Sequence, residues 1–200
     1  MSELDALATE IARCTKCLLH QGRTRTVPGE GRDDADVMFV GEAPGFYEDQ
    51  QGRPFVGAAG KFLDELLDSI GLKRGDVFIA NVIKCRPPGN RDPLPEEIAA
   101  CKPYLDRQIA LIQPKIIVTL GRFSMARAFP KARISQIHGQ PRKVDGIIYY
   151  PMYHPAAALH QPSLRQTVVD DMRRIPQIIA QASHIAEFEP TPEAEQLKLF

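Results

Sequence analysis

At 200 residues, 44% of them hydrophobic, the chain can bury one sizeable core, and a single domain is the natural expectation. No apolar run is long enough to span a bilayer, and the opening residues lack a basic stretch followed by an apolar one, so a soluble protein in a reducing, cytoplasmic setting is expected. The formal net charge of zero hides an asymmetry: Lys115, Arg122, Arg127, Lys131, Arg133, Arg142 and Lys143 stand against Asp145, while Glu187, Glu189, Glu193 and Glu195 crowd the other end, so neutrality does not exclude an anionic partner.

Ser2 ahead of Leu4, Leu7 and Ile11 predicts a capped N-terminal helix that leads into Cys14 and Cys17. Four near-continuous apolar runs follow, Asp36 to Gly41, Val77 to Ile83, Lys115 to Gly121 and Ile147 to Met152, and these read as strands covered on both faces. Between them Phe62, Leu63, Leu66, Leu67 and Ile70 repeat at helical spacing. So do Ile98, Leu105, Ile109 and Ile112, although Pro103 is expected to kink or restart that helix. A last helix is predicted from about Ser163 to Ala182. Strand and helix alternate, so the expected fold class is α/β, a three-layer α/β/α sandwich around a central, mostly parallel four-stranded sheet. The domain is read as residues 1–183, followed by an acidic flexible tail over 184–200.

The four cysteines pair unusually: Cys14 and Cys17 form a Cys-x-x-Cys knuckle, whereas Cys85 and Cys101 lie far downstream. Disulfides are disfavoured in a reducing compartment. Structural zinc usually draws on two knuckles close together, and only one exists here. Iron-sulfur clusters accept wider spacings. From spacing alone a cluster, zinc and unliganded thiols all remain open.

In an open α/β sheet, ligands bind beyond the carboxyl ends of the strands. The first predicted strand runs into Gly41-Glu42-Ala43-Pro44-Gly45, the second holds Asn81 near its end, and the fourth is followed by His154-Pro155. A carboxylate, an amide and an imidazole therefore converge on one rim. Singly these are ordinary features, a turn, a core amide and a structural histidine, and their convergence is what makes the rim a candidate site.

Three segments carry a closer resemblance: GEAPGFYEDQQGRPFVGAAGKFL (Gly41 to Leu63), NVIKCRPPGNR (Asn81 to Arg91) and HPAAAL (His154 to Leu159). With the four cysteines, they resemble the signatures of the family 4 uracil-DNA glycosylases over roughly residues 10 to 180. The resemblance implies a DNA repair enzyme that hydrolyses the N-glycosidic bond of deoxyuridine, with a [4Fe-4S] cluster on Cys14, Cys17, Cys85 and Cys101. It implies uracil binding by Gly41, Glu42, Ala43, Phe55, Asn81 and His154. In these roles Phe55 stacks on the flipped base, Asn81 reads its edge, and His154 donates to O2 as negative charge develops. Better-known glycosylases of the superfamily carry an Asp where this chain has Ala43, so Glu42 is the first candidate to orient the water and Asn90 the second. Glu48 is expected to shape the pocket floor, and Leu159 to enter the duplex as a wedge. Arg13, Lys16, Lys84, Arg86 and Arg91, on the segments the cluster would fix, are expected to meet phosphates.

The final residues Gln196, Leu197, Leu199 and Phe200 resemble the short peptide by which bacterial replication and repair proteins dock on the sliding clamp, because apolar anchors there have no core to enter. The expected partners are thus uracil-containing DNA and that clamp, the expected state a monomer without membrane association, and the expected place the cytoplasm, near the nucleoid. Two rivals remain: a related branch that becomes covalently trapped on uracil-DNA, whose Lys-Arg-Arg-Ile-His loop and Gln are absent here, and a cluster-bearing DNA-binding or electron-transfer module without catalysis.

Overall fold

The computed structural model describes residues 2–185, 187 and 188. A six-stranded sheet forms its centre in the order β1-β3-β2-β4-β6-β5, with β1 Glu30–Gly31, β2 Val37–Gly41, β3 Phe78–Asn81, β4 Ile116–Leu120, β5 Arg142–Val144 and β6 Ile147–Met152. The inner four strands are mutually parallel and correspond to the four apolar runs. The sequence missed the two short edge strands, β1 and β5, both antiparallel. Each is only two or three residues long and half-exposed, so neither carries an apolar run that could announce it.

The inner strands are buried almost throughout, and successive side chains alternate between two cores, as a sheet covered on both faces requires. Met38, Val40, Ile117 and Tyr149 join one core with Leu7 and Ile11 of the helix Glu3–Ala12 and with Leu105 and Ile109 of the helix Pro95–Ile112. Val37, Phe39, Val118, Tyr150 and Met152 join the other, with Phe62, Leu66 and Leu67 of the helix Ala58–Asp68 and Val168 and Met172 of the helix Arg165–Arg173. Three layers follow from this two-sided covering. The N-terminal helix begins as predicted, with a capping box in which Ser2 and Asp5 satisfy each other's backbone N–H.

Two helical expectations fail. Pro103 neither interrupts nor restarts its helix, which runs from Pro95 to Ile112. The buried face of Cys101, Tyr104, Leu105, Gln108 and Ile109 offsets the one backbone hydrogen bond that proline removes. The single helix predicted over 163–182 is instead divided into Arg165–Arg173 and Ile175–Ala180, the second opening with Pro176 in its first turn, where a missing N–H costs least. Beyond it Glu187 bridges Lys143, and the Phe188 ring meets Phe129 edge to face at 5.2 Å, so these residues of the segment read as tail lie against the sheet edge. The anchors Gln196, Leu197, Leu199 and Phe200 fall outside the described residues. Among the described residues no helix is long and apolar enough to cross a membrane.

Candidate active site

The connection leaving β2 leads to β3 on one side of the sheet, and the connection leaving β4 leads towards β6 on the other, so the carboxyl ends of β2 and β4 frame a topological switch point. Gly41 ends β2 and is in register with Asn81, which ends β3. This pairing explains the glycine. A Cβ at Gly41 would stand 2.4 Å from Asn81 Oδ1 and 2.6 Å from Phe55 Cζ, so a larger residue would displace the amide and the ring together.

Asn81 is 2% exposed, and its Oδ1 is buried without any hydrogen-bond partner. Leaving such an acceptor empty costs about 1 to 3 kcal/mol, a cost that a ligand N–H returns on binding. The Phe55 ring lies beside it and stacks on the His154 imidazole, with centroids 5.4 Å apart and planes inclined by 25°. Phe55 adopts φ +51°, a left-handed conformation that a bulky side chain avoids unless its neighbours hold it. Three holders are in place. Arg74 donates to the carbonyls of Phe55 at 3.0 Å and Pro54 at 2.5 Å, and its guanidinium is itself fixed by Glu30 and Asp64. Gly60 lets the backbone close in: a Cβ there would lie 1.8 Å from the Phe55 carbonyl oxygen. Glu48 is the third holder, accepting from the N–H groups of Gly45 at 3.1 Å, Val56 at 2.9 Å and Gly57 at 3.0 Å, so its carboxylate ties the two loops that carry the site.

His154 caps the helix Pro155–His160, and its Nδ1 accepts from the Ala156 N–H at 3.1 Å. That bond fixes the tautomer: in the neutral ring the proton sits on Nε2, the atom left to donate. Burial holds the imidazole neutral, its pKa lowered to about 4, with Glu48 opposing. Glu42 is half-buried, its carboxyl pushed up by burial and then by Asp92, while Arg122 opposes. Arg122 and Asp92 are themselves paired. Ala43 packs against the core.

The structure does not bring Asn90 into this group. It lies exposed at the end of the turn Pro88–Asn90, and its Oδ1 accepts from Arg86 Nε at 2.7 Å. Leu159, on the helix that His154 caps, is 41% exposed. Lys84 corrects the expectation of a phosphate contact: it is 1% exposed, and its Nζ donates to the Asn81 carbonyl at 2.8 Å and to Gln108 Oε1 at 2.7 Å. Gln108 in turn donates to the Pro28 carbonyl at 2.7 Å, so a buried polar chain fixes the backbone of Asn81. Sequence reasoning missed Arg74, Lys84, Gln108 and Gly60 in these supporting parts. Only Gly60, one of several glycines in its motif, left a local signal.

Cys14, Cys17, Cys85 and Cys101 line one small cavity with Ile11, Arg23 and Tyr104. No disulfide joins them. Arg23, which no sequence pattern marked, donates to Cys85 Sγ at 3.3 Å and to the carbonyls of Cys14 and Ala12 at 2.8 and 3.1 Å, lashing the N-terminal segment to the loop after β3. Backbone N–H groups of Lys84 and Lys16 point at Cys101 Sγ (3.4 Å) and Cys14 Sγ (3.5 Å). Burial pushes the Cys101 thiol up to about 11 and raises Cys85, against the guanidinium of Arg23. Among the described residues no three Cys, His, Asp or Glu side chains are arranged to hold a single metal ion. Four thiols around a common cavity, met by N–H donors, fit the broader body of a cluster in which each iron takes its own thiolate.

An unpartnered amide oxygen, an aromatic ring and a neutral imidazole gathered at the carboxyl ends of parallel strands give an α/β domain with its candidate site at the strand ends. Residues 28–174 match the family described as the Uracil DNA glycosylase superfamily, and the chain belongs to that superfamily. It is 52% identical to the type-4 uracil-DNA glycosylase of Sulfurisphaera tokodaii over 88% of this chain and 84% of that one. Those of Saccharolobus solfataricus (47%, covering 90% and 88%) and Archaeoglobus fulgidus (48%, covering 88% and 92%) are similar over comparable spans.

Proposed function

We propose that the chain is a DNA repair glycosylase that hydrolyses the N-glycosidic bond of deoxyuridine, releasing uracil and leaving an abasic site. The single observation that carries this reading is the buried, unpartnered Oδ1 of Asn81 beside the ring of Phe55. Uracil extruded from the stack slides onto Phe55, and Oδ1 accepts its N3–H while the amide nitrogen donates to O4. Cytosine presents an acceptor at N3 and a donor at N4, the opposite polarity at both, and leaves Asn81 unsatisfied. As the glycosidic bond lengthens, charge builds on the departing base, and the Nε2–H of neutral His154 meets it at O2, a donor worth on the order of 3 kcal/mol. The ionised carboxylate of Glu42 orients the attacking water and offsets positive charge on the sugar, as paired groups do in glycoside hydrolysis. Leu159 fills the space the base has left.

Cys14, Cys17, Cys85 and Cys101 would hold a [4Fe-4S] cluster, which would supply a four-point cross-link joining the N-terminal segment, the loop after β3 and the helix Pro95–Ile112. The C-terminal peptide is read as a clamp-docking anchor, and the enzyme as a cytoplasmic monomer. Incubation of the full chain with a uracil-containing oligonucleotide tests the function. An alkali-labile abasic product is expected. A covalent protein-DNA adduct would assign the chain to a trapped, non-turnover mode, and neither product would leave a binding module.

A further inference from the structure

Phe46 and Tyr47 are left to solvent, 49% and 61% exposed, at the start of the helix Phe46–Gln51 that follows the Gly41 to Gly45 turn. Their rings meet edge to face at 5.4 Å. Two adjacent exposed aromatic rings add nothing to the core, so their use lies outside it. On one side the pair borders the pocket: Tyr47 Cδ2 lies 3.6 Å from the position a Cβ would take on Gly57, just beyond Phe55. On the other, the guanidinium of Arg86 lies 5.1 Å over the Phe46 ring. Arg86 Nε donates to the neutral amide oxygen of Asn90, and among the described residues no acid pairs with its charge. Arg86 also lines a groove that continues past Lys16, Leu18 and Leu94, with Leu18 75% exposed.

A ring pair, an unbalanced cation and a groove lined by Lys16 and the ion-paired Arg91 together with Glu96 and Glu97 form one path leading away from the strand-end site, with its unoffset positive charge at the Arg86 end. Its chemistry matches a polyanion that carries flat π-faces, which is a strand of DNA with unstacked bases. We propose that Phe46 and Tyr47 form a stacking platform for the nucleobase next to the target uridine, with Arg86 holding the phosphate beyond it. This rests on the uracil-DNA reading of the pocket. It adds a second base contact, outside the pocket and indifferent to base identity, that grips the strand while the uridine is extruded.

The test is a cycle of protein and substrate changes read by fluorescence anisotropy. The probe is a single-stranded oligonucleotide carrying 2′-fluoro-2′-deoxyuridine, whose glycosidic bond resists cleavage, either intact or with an abasic unit on one side or the other of the uridine. The wild-type chain is expected to lose about ten-fold in affinity when the base on the platform side is removed, and little when the other is removed. The double variant Phe46→Ala, Tyr47→Ala is expected to bind the intact strand about ten-fold more weakly and to be indifferent to either deletion. Phe46→Tyr keeps the wild-type pattern. Losses that multiply, so that the double variant still suffers from the missing base, would overturn the platform. Release of uracil by wild type from an ordinary uracil strand is scored separately. Base-dependent binding without release would sink the enzymatic reading and leave the platform standing, whereas release without base-dependent binding would do the reverse.

Discussion

In the proposed mechanism His154 donates as a neutral ring and needs no proton from solution, and lowering the pH makes that expectation measurable. Burial takes the imidazole from its ordinary 6.5 to about 4. At pH 5.5 a histidine with the ordinary value is about 90% protonated, whereas one at about 4 is only about 3% protonated, so the two cases separate cleanly. The single-turnover rate of uracil release should therefore stay level from pH 8 through 6.5, with no inflection at the ordinary histidine value. A descending limb on the acid side should belong to Glu42, whose carboxyl is pushed above its ordinary 4.5 by burial and Asp92. Glu42→Gln should leave a slow rate without that limb. The same shift carries a stability term with a definite sign. The unfolded chain takes up the His154 proton near 6.5 and the folded chain only near 4, so stability is intact above 6.5 and falls as pH drops through that window, by about 3 kcal/mol at its lower end. A rate that climbs as pH falls through 6.5, or a His154 ring nitrogen that titrates there by NMR, would refute the neutral-donor argument.

Gly60→Ala should lower stability by about 2 to 3 kcal/mol in denaturant unfolding, because its new methyl would press on the Phe55 carbonyl, and should slow excision through a displaced ring. Lys84→Met leaves the Asn81 carbonyl and Gln108 Oε1 buried without their shared donor, a cost of about 1 to 3 kcal/mol at each. Its excision rate should fall further than its DNA affinity, and equal losses in both would argue against a role in positioning Asn81. Cys101→Ser should reduce iron and labile sulfide per purified chain relative to wild type, and unchanged content would remove Cys101 from the ligand set.

The inner sheet was legible because each of its strands is a short apolar run with both faces covered, a pattern that survives without tertiary knowledge. Its strand-end groups were legible for a related reason, since Gly41, Asn81 and His154 each sit at or just beyond such a run. What held those groups in place was not. Arg74 reaches Phe55 from nineteen residues away, Arg23 reaches Cys85 from sixty-two, and Gln108 reaches Pro28 from eighty. A long polar side chain that ends buried looks in sequence like one that ends in solvent. Lys84 is the clearest case: flanking a cysteine and followed by arginine, it reads as part of a basic loop until the fold shows its ammonium enclosed.

The placement of Lys84 also joins two parts that sequence treats separately. Its backbone N–H points at Cys101 Sγ while its side chain holds the Asn81 carbonyl, and Cys85 is the next residue. A displacement of the cysteine segment therefore moves the same residue that fixes the strand end carrying Asn81. On the proposed reading Asn81 would need this fixity because its discrimination would be geometric: a hydrogen bond to the uracil edge weakens steeply once the donor angle drops towards 120°. A cross-link at Cys85 and Cys101 would thus act on base selection through one buried lysine rather than through the chemistry of the cross-link itself. Arg23 extends the same restraint to the N-terminal segment, since one guanidinium spans the Cys14 carbonyl and the Cys85 sulfur.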